Sequence, residues 1–175
     1  MANTAHNYYV LRERRETMTR EQYLYSEFLT IAAVLNDQLN VVPVLYGSLG
    51  LGKVTQLDFS PQDIDILVPL TFLTTQWKIL QQTLEQLGYT LSDLHEHEFR
   101  KNDVTIGFAF TEDLEAFADV DYKRLQVYED SDINYHLVTI EDYFKIYSKS
   151  LQDGYRRTKN NSKDLKKVEI LKTLL

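Results

Sequence analysis

The chain has 175 residues, 43% of them hydrophobic, no cysteine and a formal net charge of −7. This length suits one domain with a helical appendage and is short for a (β/α)8 barrel, which takes ~250 residues. Without cysteine there are no disulfides and no thiolate metal sites, and the bulk acidity argues against general nucleic-acid binding.

No stretch approaches the ~20 apolar residues of a membrane-spanning helix, and the first residues lack the apolar run of a signal peptide, so the expectation is a cytoplasmic protein with no membrane partner. The charge is uneven. Residues 151–175 hold seven basic residues against three acids, a net of +4, which leaves −11 on the remainder. Such a basic segment suits either a solvated helix face or a phosphate-bearing ligand.

Residues 1–18 mix an apolar Tyr8-Tyr9-Val10-Leu11 with a charged run, as in a packed arm or a short helix. Thr19 and Gln22 have the spacing of a capping box, and Leu24, Phe28, Ile31, Leu35 and Leu39 follow at helical intervals, predicting a helix to about Asn40. Residues 41–46 read as a strand, with Pro43 favouring a sheet edge or a strand start. Gly47 and Ser48 then open a glycine-rich stretch that reads as a loop.

Asp63-Ile64-Asp65-Ile66-Leu67-Val68 reads as a second strand, ended by Pro69. Alternate side chains share a face, so Asp63 and Asp65 project together while Ile64 and Ile66 anchor the other side. Two like charges so close favour a divalent cation between them or a proton on one. A helix from about Thr74 carries Trp77, Leu80, Leu84 and Leu87 on one side and stops at Gly88.

Residues 94–101 and 104–110 read as extended runs joined by Asn102-Asp103, a hairpin. In that register Glu98 faces Gly107 and Phe99 faces Ile106. His95 and His97, at i and i+2, fit an exposed polar face or a metal site, with the polar face favoured. Residues 112–118 suit one or two helical turns. Residues 125–128 and 135–138 suit strands around an acidic turn at 129–132, where the spacing and glycine of a calcium loop are missing. Thr139 caps a helix with Tyr143, Phe144, Ile146, Tyr147 and Leu151. A polar segment follows at 152–161, and Ser162 caps a last helix.

Strand, Gly47-Ser48, spacer and Asp63-x-Asp65 together resemble the nucleotidyltransferase superfamily of the DNA polymerase β type, in its minimal and antibiotic-modifying branches. The resemblance covers roughly residues 19–110, with an echo in the C-terminal helices. It implies an α/β fold: a small mixed sheet flanked by helices, spanning residues 1–138, with a C-terminal helical pair at 139–175 packed on it. It also implies transfer of a nucleoside monophosphate from an NTP to a small-molecule, protein or RNA acceptor. By the same resemblance Asp63 and Asp65 hold two Mg2+ ions, and Gly47 and Ser48 hold the triphosphate, with Lys53 or Lys149 adding charge. Lys163-Asp164 matches a Lys-Asp pair that opens the last helix in antibiotic-modifying relatives.

Three features depart from the pattern. Fourteen residues separate Ser48 from Asp63, Gln62 stands where the family has Ser, and Gly107 occupies the place of a third carboxylate. Glu98, opposite Gly107, is the candidate replacement. The alternatives are a catalytically weakened nucleotide-binding or regulatory module, or an antitoxin-like protein acting through a partner; a homodimer is left open. A competing motif, GxxxxGK from Gly47 to Lys53, fits a P-loop, but Val54 replaces the magnesium-binding Ser or Thr and no helical stripe follows. A surface strand bearing two solvated aspartates is the plain alternative to both.

Overall fold

In a computed structural model, the described residues are 17–153 and 162–175. The apolar run at 8–11 and most of the polar segment at 152–161, with Arg156, Arg157 and Lys159, lie outside them.

Helix α1 (Arg20–Leu39) opens on Thr19, whose side chain accepts from the Gln22 N–H while the Gln22 side chain accepts from the Thr19 N–H, the expected capping box. Asn40 ends it in the left-handed conformation. Strand β1 (Val44–Tyr46) runs into helix α2 (Gly47–Thr55), and β2 (Ile64–Val68) follows, immediately after Asp63. A 3-10 turn at Leu70–Leu73 leads to α3 (Trp77–Gln86), which closes on Gly88 at φ +89°. Then come β3 (Thr90–Asp93), β4 (Glu98–Lys101), β5 (Val104–Phe110) and the short α4 (Asp113–Ala118). The chain finishes with β6 (Gln126–Asp130), β7 (Ile133–Leu137), α5 (Ile140–Gln152), capped by Thr139, and α6 (Ser162–Leu174).

Among the described residues the strands form one mixed sheet in the order β3-β4-β5-β2-β1-β7-β6. The β1–β7 and β2–β5 pairs are parallel, and the rest are antiparallel. The α/β class expected from the sequence is therefore the fold observed. Pro43 sits just before β1, its carbonyl accepting from the His136 N–H, so an interior strand tolerates it.

The two faces differ. On one, Leu45, Ile64, Ile66, Phe99, Ile106 and Phe108 pack under Phe28, Ile31 and Leu35 of α1 and Leu80 and Leu84 of α3. On the other, Val44 and Leu67 pack against Leu114 of α4, Tyr143 and Ile146 of α5, and Val168 and Leu171 of α6. This second cover leaves part of the sheet open. No described helix is long and apolar enough to cross a membrane.

Three expectations are corrected. The glycine-rich stretch after β1 is a helix, not a loop. Its glycines answer close packing: a Cβ at Gly50 would overlap the Leu45 carbonyl and the Tyr143 hydroxyl, and one at Gly52 would crowd the Leu57 carbonyl at 3.1 Å. Residues 94–97 form a turn, preceded by the unexpected strand β3, so His95 and His97 do not alternate on a strand. The His97 ring instead packs against Trp77 at 5.0 Å. Finally, β6 runs on through Glu129 and Asp130, and the turn is two residues, Ser131 and Asp132, both with positive φ.

Candidate active site

The open part of the second face is a cavity of about 530 Å3. Its floor is the polar side of β2 and β5. Strand alternation that buries Ile64 and Ile66 turns Asp65 and Leu67 to this side, and the parallel register sets Asp65 beside Gly107. Asp63 joins Asp65 in lining the cavity, as the sequence pattern requires.

Gly47 and Ser48, the first residues of α2, form an adjoining wall. Gly47 has φ +64°, and a Cβ there would overlap Asp65 Oδ2, so only glycine lets β1 turn into the helix against this carboxylate. The side chain of Tyr46, the N-cap residue, makes no capping hydrogen bond to the helix, whose first residues and positive dipole end lie at the cavity margin. The opposite wall comes from α5 and α6: Tyr147, Ser150, Lys163, Asp164 and Lys167. The Ser150 hydroxyl donates to Asp164 Oδ2 at 2.7 Å, a buried bond that pins the two helices together.

Burial, reinforced by the neighbouring charge of Asp63, pushes the Asp65 carboxyl up to about 7 from an ordinary 3.8, while Lys167 opposes the rise. Among the described residues none donates a hydrogen bond to this carboxylate. Lys167 is itself pushed down by burial, offset by Asp164 and Asp65, and its Nζ lies 4.7 Å from the centre of the Tyr147 ring. A half-buried carboxylate at the edge of ionisation, beside a second carboxylate and facing a desolvated ammonium, is an environment tuned for a charged ligand.

Glu98 also lines the cavity, directly opposite Gly107 in the register the hairpin predicts. Its Oε1 accepts from Ser92 Oγ at 2.9 Å and from Arg100 Nε at 3.1 Å. Among the described residues no group of three or more His, Cys, Asp or Glu side chains converges to hold an ion.

Two expected residues fall elsewhere. Lys53 lies in the last turn of α2 with its Nζ 3.7 Å from the centre of the Tyr25 ring and has no part in the cavity wall, and the GxxxxGK run is helical throughout, which removes the P-loop reading. Lys149 is exposed and off the wall; the helix it occupies turns Ile146, Tyr147 and Ser150 inward instead. The lysines in place are Lys163 and Lys167 of α6. In the sequence the pairing with Asp164 points to Lys163, and the i, i+4 spacing that puts Lys167 on the same helix face is the signal for the second lysine.

Fold and site together define a mixed α/β protein with a carboxylate-and-lysine cavity between its sheet and its C-terminal helices. It is 56% identical over 152 residues to the uncharacterized protein YnaI of Bacillus subtilis (strain 168), an alignment covering 87% of this chain and 97% of that protein, and the chain belongs to the same family. No family model matches the chain. Among solved structures, that of the antibiotic-resistance factor ANT(2'')-Ia aligns over 85% of this chain and 91% of that one, at 13% identity and a TM-score of 0.42.

Proposed function

We propose that the chain binds a nucleoside triphosphate with Mg2+ in this cavity and transfers its nucleoside monophosphate to a hydroxyl or phosphate acceptor, releasing pyrophosphate. The observation that carries the reading is one cavity joining Asp63 and Asp65 to the start of α2 at Gly47-Ser48 and to Lys163 and Lys167.

The adjacent carboxylates of Asp63 and Asp65 suit Mg2+, which takes one or two carboxylates and completes its shell with water and substrate phosphates. The raised Asp65 carboxyl fits the same role, because a cation there would offset the burial, and the Asp63 charge, that favour its protonated form. When bound, the metal would neutralise phosphate charge and activate the attacking oxygen. The chain's own contribution is positioning: the α2 N–H groups and the Ser48 hydroxyl would hold phosphate oxygens, and the two lysines would balance the charge of the leaving pyrophosphate.

The hydrogen bonds from Ser92 and Arg100 to Glu98 favour a second reading, in which nucleotide binds but turns over slowly. A single assay separates the two: incubation with radiolabelled NTP, Mg2+ and a panel of small-molecule, protein and RNA acceptors. Label transfer supports the enzyme; binding without transfer supports the weakened module. Gly107→Asp sharpens the choice. A Cβ there would meet only Asp65 Oδ1, at an ordinary 3.6 Å, so the acid fits, and the variant is expected to transfer faster than the parent. Unchanged or lower transfer would speak against the polymerase-β-like arrangement.

A further inference from the structure

Beside the main cavity lies a smaller one of about 100 Å3, between the sheet and helices α4 and α5. Leu67 and Ala109 on the floor, with Tyr46 and Ile146 at the sides, belong to both spaces, so the two adjoin along these residues. Their chemistry differs. The annexe is walled chiefly by Phe110, Leu114 and Phe117, with Asp113 beside them, whereas the main cavity groups several carboxylates with Lys163 and Lys167. Phe110, Phe117 and Tyr46 are each only partly buried, and Ala109 is exposed, so apolar and aromatic surface is left facing this space. Stacking on Tyr143, with ring centres 6.0 Å apart and planes 15° from parallel, holds the Tyr46 ring in place at the threshold.

Building on the nucleotide reading of the main cavity, we propose that the annexe takes the nucleobase. Its volume of about 100 Å3 is below the roughly 150 Å3 of a closed apolar cavity that holds benzene, so it would receive one edge of a base while the rest of the ring lies in the mouth shared with the main cavity. Its position fits as well. Asp65 and Leu67 are two residues apart on one face of β2, a separation of about 6–7 Å, which one sugar ring bridges. A nucleotide whose phosphates lie over Asp65 therefore brings its base to Leu67 and Ala109, where half-exposed aromatic rings can stack on it. Such contacts are largely indifferent to base identity, so the site should accept several nucleotides.

Calorimetric titration with ATP, CTP and inorganic tripolyphosphate, each with Mg2+, tests this. Both nucleotides are expected to bind at least tenfold more tightly than tripolyphosphate. Phe117→Ala removes an annexe wall, and Ala109→Leu fills the mouth from an exposed position; each should cost nucleotide affinity about tenfold while tripolyphosphate binding stays at the parent value, which also certifies the fold. Equal affinity for nucleotides and tripolyphosphate, indifference of nucleotide binding to both variants, or loss of tripolyphosphate binding along with it would each overturn the annexe. Failure of tripolyphosphate to bind the parent protein would instead remove the phosphate reading of the main cavity, and the annexe with it.

Discussion

The two faces of the sheet are built by one alternation and put to opposite uses. The face under α1 and α3 is closed. Its buried acid among the described residues, Glu27, 9% exposed, accepts from the Tyr89 hydroxyl at 2.5 Å and lies 3.7 Å from Lys101 Nζ. The face under α5 and α6 keeps Asp65 beside a like charge and, among the described residues, without a hydrogen-bond donor. Burying a carboxylate is costly unless it is paired, so the closed face satisfies its acid whereas the open face retains the cost. Unrelieved electrostatic strain confined to a cavity wall is the mark of a site that a ligand completes.

Substitutions on the two faces should therefore have opposite signs. Phe99, fully buried on the closed face and packed edge-on to Phe108 at 5.8 Å, gives the largest effect: Phe99→Ala should lower unfolding free energy by about 3–5 kcal/mol in urea titration. A loss below 1 kcal/mol would mean that this face is not the core.

Asp65→Asn should stabilise the protein. Because the folded state holds the Asp65 proton up to about pH 7 while the unfolded chain releases it near 3.8, ionisation opposes folding increasingly between those values and fully above the upper one. The shift corresponds to at most about 4 kcal/mol, and to about half that with the carboxylate open to the water of the cavity. Urea titrations should show parent and variant alike below pH 4, and the variant ahead by about 2 kcal/mol at pH 8. A variant less stable at pH 8 would mean that Asp65 has a structural partner.

Gly47→Ala should cost about 1–2 kcal/mol for its left-handed backbone alone, and more as Asp65 is displaced. Thermal unfolding combined with nucleotide titration would register both losses; a neutral variant would show that the β1–α2 turn is not fixed. The smallest stability effects should come from the lysines, and they separate by place. Lys149→Ala should change stability by less than ~0.5 kcal/mol and leave nucleotide affinity alone. Lys167→Ala should weaken nucleotide binding about tenfold, the value of one charge-assisted contact. Equal affinities for the two variants would contradict the cavity wall described here.

Much of this was legible in the sequence, because the periodic signals there are strong. The Thr19 and Thr139 caps, the Asp63-x-Asp65 alternation and the Asn102-Asp103 hairpin with Glu98 opposite Gly107 all follow from local rules. The misreadings have physical causes. Gly47, Gly50 and Gly52 suggest a loop because glycine weakens a helix, but here tertiary contact with Leu45, Tyr143 and Leu57 demands residues without a Cβ. Motif and placement along the chain point to Lys53 and Lys149, but the packing of α2 on α1 and of α5 on the sheet decides which way they face. The last helix brings Lys167 to Asp65 only through the fold, and Ser150 with Asp164 pins that approach.

The central claim is that Asp63 and Asp65 make the open face a metal–nucleotide site. Calorimetric titration of ATP into the parent protein and into the Asp63→Asn, Asp65→Asn double variant, with and without Mg2+ at pH 8, tests it directly. The account predicts that Mg2+ tightens ATP binding to the parent and has no such effect on the double variant, which stays folded. Equal Mg2+-dependent affinity in the two proteins would contradict it.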